Sequence, residues 1–128
     1  MPKYFHPDVQ DDGLNEVVNN ANELHLVKNY AQGDAYAVVL ANSIANAATV
    51  PGDYPLSDQG TLGRQLTSPA KSATSTGSSI VSDDLHIALL DTAGSRVLMV
   101  TDETSDQPIT AGNVVNIPAV NFKKNQPV

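Results

Sequence analysis

Acidic side chains flank two apolar runs late in the sequence, Leu85–Leu90 and Arg96–Thr101. The five acids are Asp83, Asp84, Asp102, Glu103 and Asp106. Carboxylate oxygens are preferred ligands of Ca²⁺, but these acids do not follow the spacing of an EF-hand loop. We therefore predict that they are the solvated ends of a β-hairpin and that the chain has no metal site. The alternative, an ion site formed by Asp102, Glu103 and Asp106, stays open.

The three histidines offer a second kind of metal ligand. His6, His25 and His86 show neither an H-x-H nor an H-E-x-x-H spacing, so the sequence gives no sign that they gather around zinc. His25 and His86 fall in predicted strands, where a half-buried histidine without a ligand is the simpler interpretation.

The sequence contains no motif with a catalytic mechanism. A G-x-S-x-G nucleophile elbow is absent, and the nearest stretch, TAGSR, is better explained as a turn. The stretch GTLGRQL lacks the Gly-Lys-Ser/Thr of a phosphate-binding loop. We therefore predict no catalytic residue and no cofactor, and we expect that the protein is not an enzyme.

Composition excludes several classes of partner. The chain has 128 residues and a net charge of −7, so it repels the phosphates of nucleic acids and anionic membrane surfaces. It contains no cysteine, and no apolar run approaches the roughly 20 residues of a membrane span. The N-terminus lacks the apolar segment of a signal peptide, which predicts a soluble protein made in a cytoplasm.

Hydrophobic periodicity predicts one short helix followed by strands. Residues 1–11 are polar, contain two prolines and are predicted to form an extended arm. Apolar residues at i, i+3, i+4 and i+7 predict a helix over residues 12–21. Short strands separated by Gly, Asn, Asp and Pro follow, including one over Tyr36–Leu40. We predict a single all-β domain over residues 12–128, a β-sandwich with jelly-roll-like antiparallel sheets.

Both faces of the predicted hairpin carry apolar side chains. In the first strand, Leu85, Ile87 and Leu89 alternate with His86, Ala88 and Leu90, and in the second, Val97 and Met99 alternate with Leu98 and Val100. Gly94 is expected to supply the positive φ of the connecting loop. We call the face that carries His86, Ala88, Leu90, Leu98 and Val100 the second face. Leaving its apolar side chains exposed to water would cost several kcal/mol, at ~25 cal/mol of free energy per Å². We expect either the N-terminal helix or another subunit to cover it.

Three parts of the sequence resemble a group of small tailed-bacteriophage proteins that are made alongside the major capsid protein. These parts are YFHPDV with DGLN, then GRQLT, and finally DLHIALLDTAGSRVLMVTDETSDQPITAGNVVNIPAV. The resemblance covers most of the chain and is weakest across residues 40–80. It implies a virion structural protein, in particular a head decoration or cement protein. Such proteins are commonly β-sandwich or jelly-roll units that bind the outer capsid as dimers or trimers.

The resemblance and the residues together predict a decoration protein on the capsid exterior, with the major capsid protein and further copies of itself as partners. We predict interface residues in the arm, Tyr4, Phe5 and His6, and on the second hairpin face, Leu98 and Val100. Two alternatives stay open. One is a tail or head–tail connector component, and the other is a carbohydrate-binding β-sandwich module.

Overall fold

The computed structural model describes residues 4–5, 13–58, 63–103 and 108–125. Its two helices are α1 (Leu14–Asn20) and α2 (Tyr36–Ala41). Its strands are β1 (Tyr4–Phe5), β2 (Glu23–Lys28), β3 (Ser43–Ala48), β4 (Leu56–Asp58), β5 (Gly63–Thr67), β6 (Lys71–Thr74), β7 (Leu85–Asp91), β8 (Arg96–Asp102), β9 (Val114–Ile117) and β10 (Asn121–Asn125). A single 3-10 turn at Pro51–Asp53 precedes β4. Neither helix has the length and apolar character needed to cross a membrane.

The strands form antiparallel sheets, which confirms the all-β prediction. The largest sheet has five strands in the order β1-β8-β7-β2-β3. A three-stranded sheet has the order β10-β5-β4, and β6 pairs with β9 in a two-stranded sheet. Tyr4–Phe5, part of the predicted arm, pairs with Met99 and Val100 and so forms the edge strand of the large sheet.

The main core lies between the five-stranded sheet and the two smaller sheets. Leu85, Ile87 and Leu89 of β7, which were predicted to share one face, point into it together with Leu66 of β5 and Ile117 of β9. The helix α1 confirms the prediction of an N-terminal helix, and it buries its apolar residues in this same core. It therefore does not cover the second hairpin face, for which it was one of two expected covers.

The second face of β7 is covered by α2, a helix at a position where a strand was predicted. Val39 is 1% exposed and packs with Tyr36 against Ala88 and Leu90 of β7. Tyr36 and Val39 are three residues apart and so share one helix face. A helix of six residues is not stable by itself, so its packing on the sheet outweighs the strand preference of its β-branched residues. The apolar excess of the hairpin is thus covered within the chain.

A β-bulge rearranges the faces of β8. Leu89 is opposite Met99 but Leu90 is opposite Val97, so Leu98 is the extra residue. Two neighbours, Leu98 and Met99, consequently both lie in the main core, whereas Val97 and Val100 lie under α2. The predicted strict alternation of β8 is therefore wrong at the bulge, because an inserted residue reverses the side-chain alternation beyond it.

The hairpin loop depends on Gly94 for space rather than for a positive φ. Ser95, with φ of 53°, takes the left-handed conformation that was expected of Gly94. A Cβ at Gly94 would lie 2.7 Å from Asp91 Oδ2. That carboxylate accepts hydrogen bonds from the Gly94 amide at 3.0 Å and from Arg96 Nη2 at 2.8 Å. Burial raises the pKa of Asp91, but these hydrogen bonds outweigh it and the pKa is lowered overall.

Val39→Ala should destabilise the protein by about 2 kcal/mol, because it removes two buried methyl groups and leaves a cavity between α2 and the sheet. The measurement is urea unfolding followed by circular dichroism. Val38→Ala is the matched control, since Val38 lies on the same helix and is 43% exposed, and it should change stability by less than about 0.5 kcal/mol. Equal effects of the two substitutions would contradict the packing of α2 described here.

Gly94→Ala should cost about 1–3 kcal/mol, because the new Cβ displaces the carboxylate that joins both ends of the hairpin loop. Gly52→Ala is the control, since nothing lies within 4 Å of its Cβ position. Thermal unfolding of both variants checks the prediction. A Gly94→Ala protein as stable as Gly52→Ala would show that the Asp91 contact does not hold the loop.

Candidate functional site: a buried histidine between two carboxylates

His86 lies near the start of β7, in the centre of the five-stranded sheet. Its side chain is fully buried. It is opposite Val27 of β2 on one side and Asp102 of β8 on the other. The ring of Tyr30 lies 5.6 Å away from its ring, centroid to centroid, at an angle of 57°. His86 therefore sits among apolar and aromatic neighbours and next to a carboxylate.

The β-bulge places Asp102 beside this histidine. At the loop end of the hairpin the paired residues are Leu90 and Val97, and continuing that register would put Thr101 opposite His86. Beyond the bulge the register shifts by one, and Asp102 takes this position instead. Directly opposed residues in an antiparallel pair have neighbouring side chains. The bulge thus supplies the second polar group of the site.

Asn29 fixes the third residue, Asp84. Asn29 has a positive φ of 57°, a conformation that asparagine tolerates better than most residues. Its amide donates to the Asp84 carbonyl at 2.7 Å, and its side-chain oxygen accepts from the Asp84 amide at 3.0 Å. Asn29 Nδ2 also donates to Asp83 Oδ1 at 2.7 Å. These bonds hold the segment before β7 against the end of β2.

The three side chains converge on one point. His86 Nε2 lies 3.8 Å from Asp84 Oδ2 and 3.9 Å from Asp102 Oδ1, and the three ligand atoms all lie within 4.8 Å of one another. Both distances are too long for hydrogen bonds. Neither ring nitrogen of His86 has a hydrogen-bond partner in the part of the chain that the structure describes. One imidazole nitrogen and two carboxylate oxygens are a donor set that can hold a divalent cation.

His25 is a useful comparison, because it is also a buried histidine in a strand of the same sheet. Its Nδ1 hydrogen-bonds with Ser43 Oγ at 2.7 Å and its Nε2 with Glu23 Oε1 at 2.7 Å. Burial lowers the pKa of His25, and the contact with Glu23 offsets part of that effect. His25 lies in a strand, as predicted, but it is buried rather than half-buried, and both of its ring nitrogens have hydrogen-bond partners, unlike those of His86 within the described residues.

The five acids of the hairpin have different positions in the structure. Asp83 closes a turn by accepting a hydrogen bond from the Ile80 amide at 2.9 Å, and this bond lowers its pKa. Asp84 and Asp102 flank His86, and the Glu103 amide donates to the Leu85 carbonyl. The predicted alternative ion site of Asp102, Glu103 and Asp106 includes a residue outside the described ranges, namely Asp106.

Of the five residues predicted at an interface, two are buried within the chain. Leu98 and Val100 are 0% and 1% exposed, in the main core and under α2 respectively, so neither is available to a partner. This corrects their prediction as interface residues, and the cause is the cover that α2 and the bulge provide. Tyr4 and Phe5 form β1, of which only the backbone is described, and His6 lies outside the described residues.

The Asp84–His86–Asp102 cluster is not recognisable in the sequence while the acids and the histidines are considered as separate sets. The Asp-x-His spacing of Asp84 and His86 is a visible signal. The third member depends on the bulge, which has no clear mark in the sequence.

The fold and this site define an all-β, sandwich-like protein whose largest sheet holds a buried histidine next to two carboxylates. Comparisons of the chain with protein-family models, with curated proteins and with solved structures find no match.

Proposed function

We propose that the chain is a head decoration protein of a tailed bacteriophage, which binds the outer surface of the major capsid shell and stabilises the head. The resemblance of the sequence to small phage proteins made with the capsid protein supports this function. The all-β, sandwich-like architecture agrees with it. A strongly acidic surface suits the outside of the shell, because a charge of −7 is repelled by packaged DNA.

The observation that carries the proposal is a pair of exposed apolar side chains in one loop. Ile80 and Val81 are 63% and 73% exposed. They follow Ser79, which pairs with Ile109 of a second loop in an isolated bridge. We call Ile80 and Val81 the loop patch. Neighbouring apolar side chains that are exposed to this degree suit a protein–protein contact site.

The two loops are held together by hydrogen bonds, so the loop patch is preorganised. The amides of Ser79 and Ile109 each donate to the carbonyl of the other, at 2.9 and 3.1 Å. Ser75 Oγ contacts the carbonyls of Thr110 and Asn113, both at 2.9 Å. A surface that is already ordered loses little conformational entropy on binding. This favours a binding role for these loops over a flexible connection.

A small patch of this kind gives weak attachment by itself. Self-association into a dimer or trimer at a capsid symmetry axis would present two or three copies at once and so raise the avidity. We propose that the arm residues Tyr4, Phe5 and His6 contribute to such contacts. Leu98 and Val100 do not contribute, because they are buried within the chain.

Replacing Ile80 and Val81 together with Ser should weaken binding to phage heads at least tenfold. Burying each side chain in an interface contributes about 1.5–3 kcal/mol, and about 1.4 kcal/mol already corresponds to a factor of ten. The measurement is co-sedimentation of the purified chain with heads of the phage that encodes it, assembled without this protein. The unsubstituted chain should bind in hundreds of copies per head.

Val50→Ser is the control, because Val50 is 60% exposed in a different loop, and it should leave head binding unchanged. Unchanged binding of the Ile80/Val81 variant would contradict the role of the loop patch. If each particle bound only one small ring of copies, this result would contradict the proposed decoration role and favour the connector alternative.

A further inference from the structure

We propose that Asp84, His86 and Asp102 bind a divalent first-row transition-metal cation such as Zn²⁺. This inference goes beyond the decoration role and does not rest on it. The cation would be coordinated by His86 Nε2 and by one oxygen from each aspartate. It would join the start of β7, the end of β8 and the segment that Asn29 fixes.

The distances fit a single ion. Ligands of Zn²⁺ lie about 2.0–2.2 Å from the metal, so two ligands of the same ion are at most about 4.4 Å apart. Both distances from His86 Nε2, 3.8 and 3.9 Å, lie within this limit. The distance between the two carboxylate oxygens is no more than 4.8 Å. The Asp84 side chain is 47% exposed and can close the remaining gap by a small rotation.

The environment of His86 is the second, independent observation. Its side chain is fully buried, and within the described residues its ring nitrogens have no hydrogen-bond partner. A buried polar group without such a partner destabilises the folded state, and such groups are rare in native structures. In the same sheet, both ring nitrogens of the buried His25 have hydrogen-bond partners. His86 Nε2 is the ring nitrogen that faces the two aspartates, and a bond to a metal ion would replace its missing hydrogen bond.

The ligand types select the kind of cation. Ca²⁺ and Mg²⁺ prefer sites built only from oxygen ligands. Imidazole nitrogen favours first-row transition ions, and two carboxylates neutralise the charge of a divalent ion. Three protein ligands leave at least one coordination position open. The partly exposed Asp84 gives this position and the entering ion access to solvent, while Asp102, 8% exposed at its side chain, closes the inner side.

The test is isothermal titration of ZnCl₂ into the tag-free full-length chain in a buffer that does not chelate metals. We expect one ion per chain with a dissociation constant below about 100 μM, equivalent to more than about 5 kcal/mol. Long-range proton–nitrogen NMR spectra should show a Zn²⁺-dependent shift at Nε2 of His86 and none at His25. CaCl₂ in place of ZnCl₂ should give no binding at the same concentrations.

Asp84→Asn is the decisive variant, because the half-exposed side chain can be changed without opening the core, and it should weaken Zn²⁺ binding at least tenfold. Asp102→Asn should do the same. Glu23→Gln is the matched control, since it alters the other pair of a carboxylate and a buried histidine, and it should bind Zn²⁺ like the unsubstituted chain. The proposal is overturned by absence of binding, by unchanged binding in both aspartate variants, or by shifts at His25 or His6 instead of His86.

Discussion

The structure depends on one constraint, the burial of the β7–β8 hairpin on both of its faces. Every residue of β7 is buried, and β8 is buried from Val97 to Val100. A strand of this kind needs a hydrogen-bonded neighbour on each side and an apolar layer above and below. The strands β2 and β8 supply the neighbours. The smaller sheets with α1 supply one layer, and α2 supplies the other.

The β-bulge adapts the hairpin to these two layers and has a chemical consequence. It turns Leu98 and Met99 toward the main core, and it moves Asp102 opposite His86. The same local irregularity therefore adjusts the packing of β8 and assembles a polar cluster inside the sheet. Because the chain itself covers both faces of the hairpin, the hairpin offers no apolar surface to the proposed partner.

Local patterns in the sequence were sufficient for the elements whose structure follows from neighbouring residues. The spacing of Leu14 and Val17 predicted α1, and the alternation of Leu85, Ile87 and Leu89 predicted a strand with these three residues on one face. The helix α2 could not be predicted in this way, because Tyr36–Ala41 favours a strand locally and is helical through contacts with residues about fifty positions away. The site was missed for a similar reason. Its residues come from two strands whose register is set by a bulge, and a shift of one residue would have replaced Asp102 by Thr101.

The central claim is that one chain covers both faces of β7 by itself. Native-state hydrogen exchange, measured over a range of denaturant and protein concentrations, tests it directly. The amides of residues 87–90 should exchange only through global unfolding, with the same free energy as the cooperative transition at every protein concentration. Exchange of these amides through a smaller opening, especially one that is suppressed only at high protein concentration, would contradict the claim, because it would mean that α2 does not seal the second face and that another copy is needed to cover it.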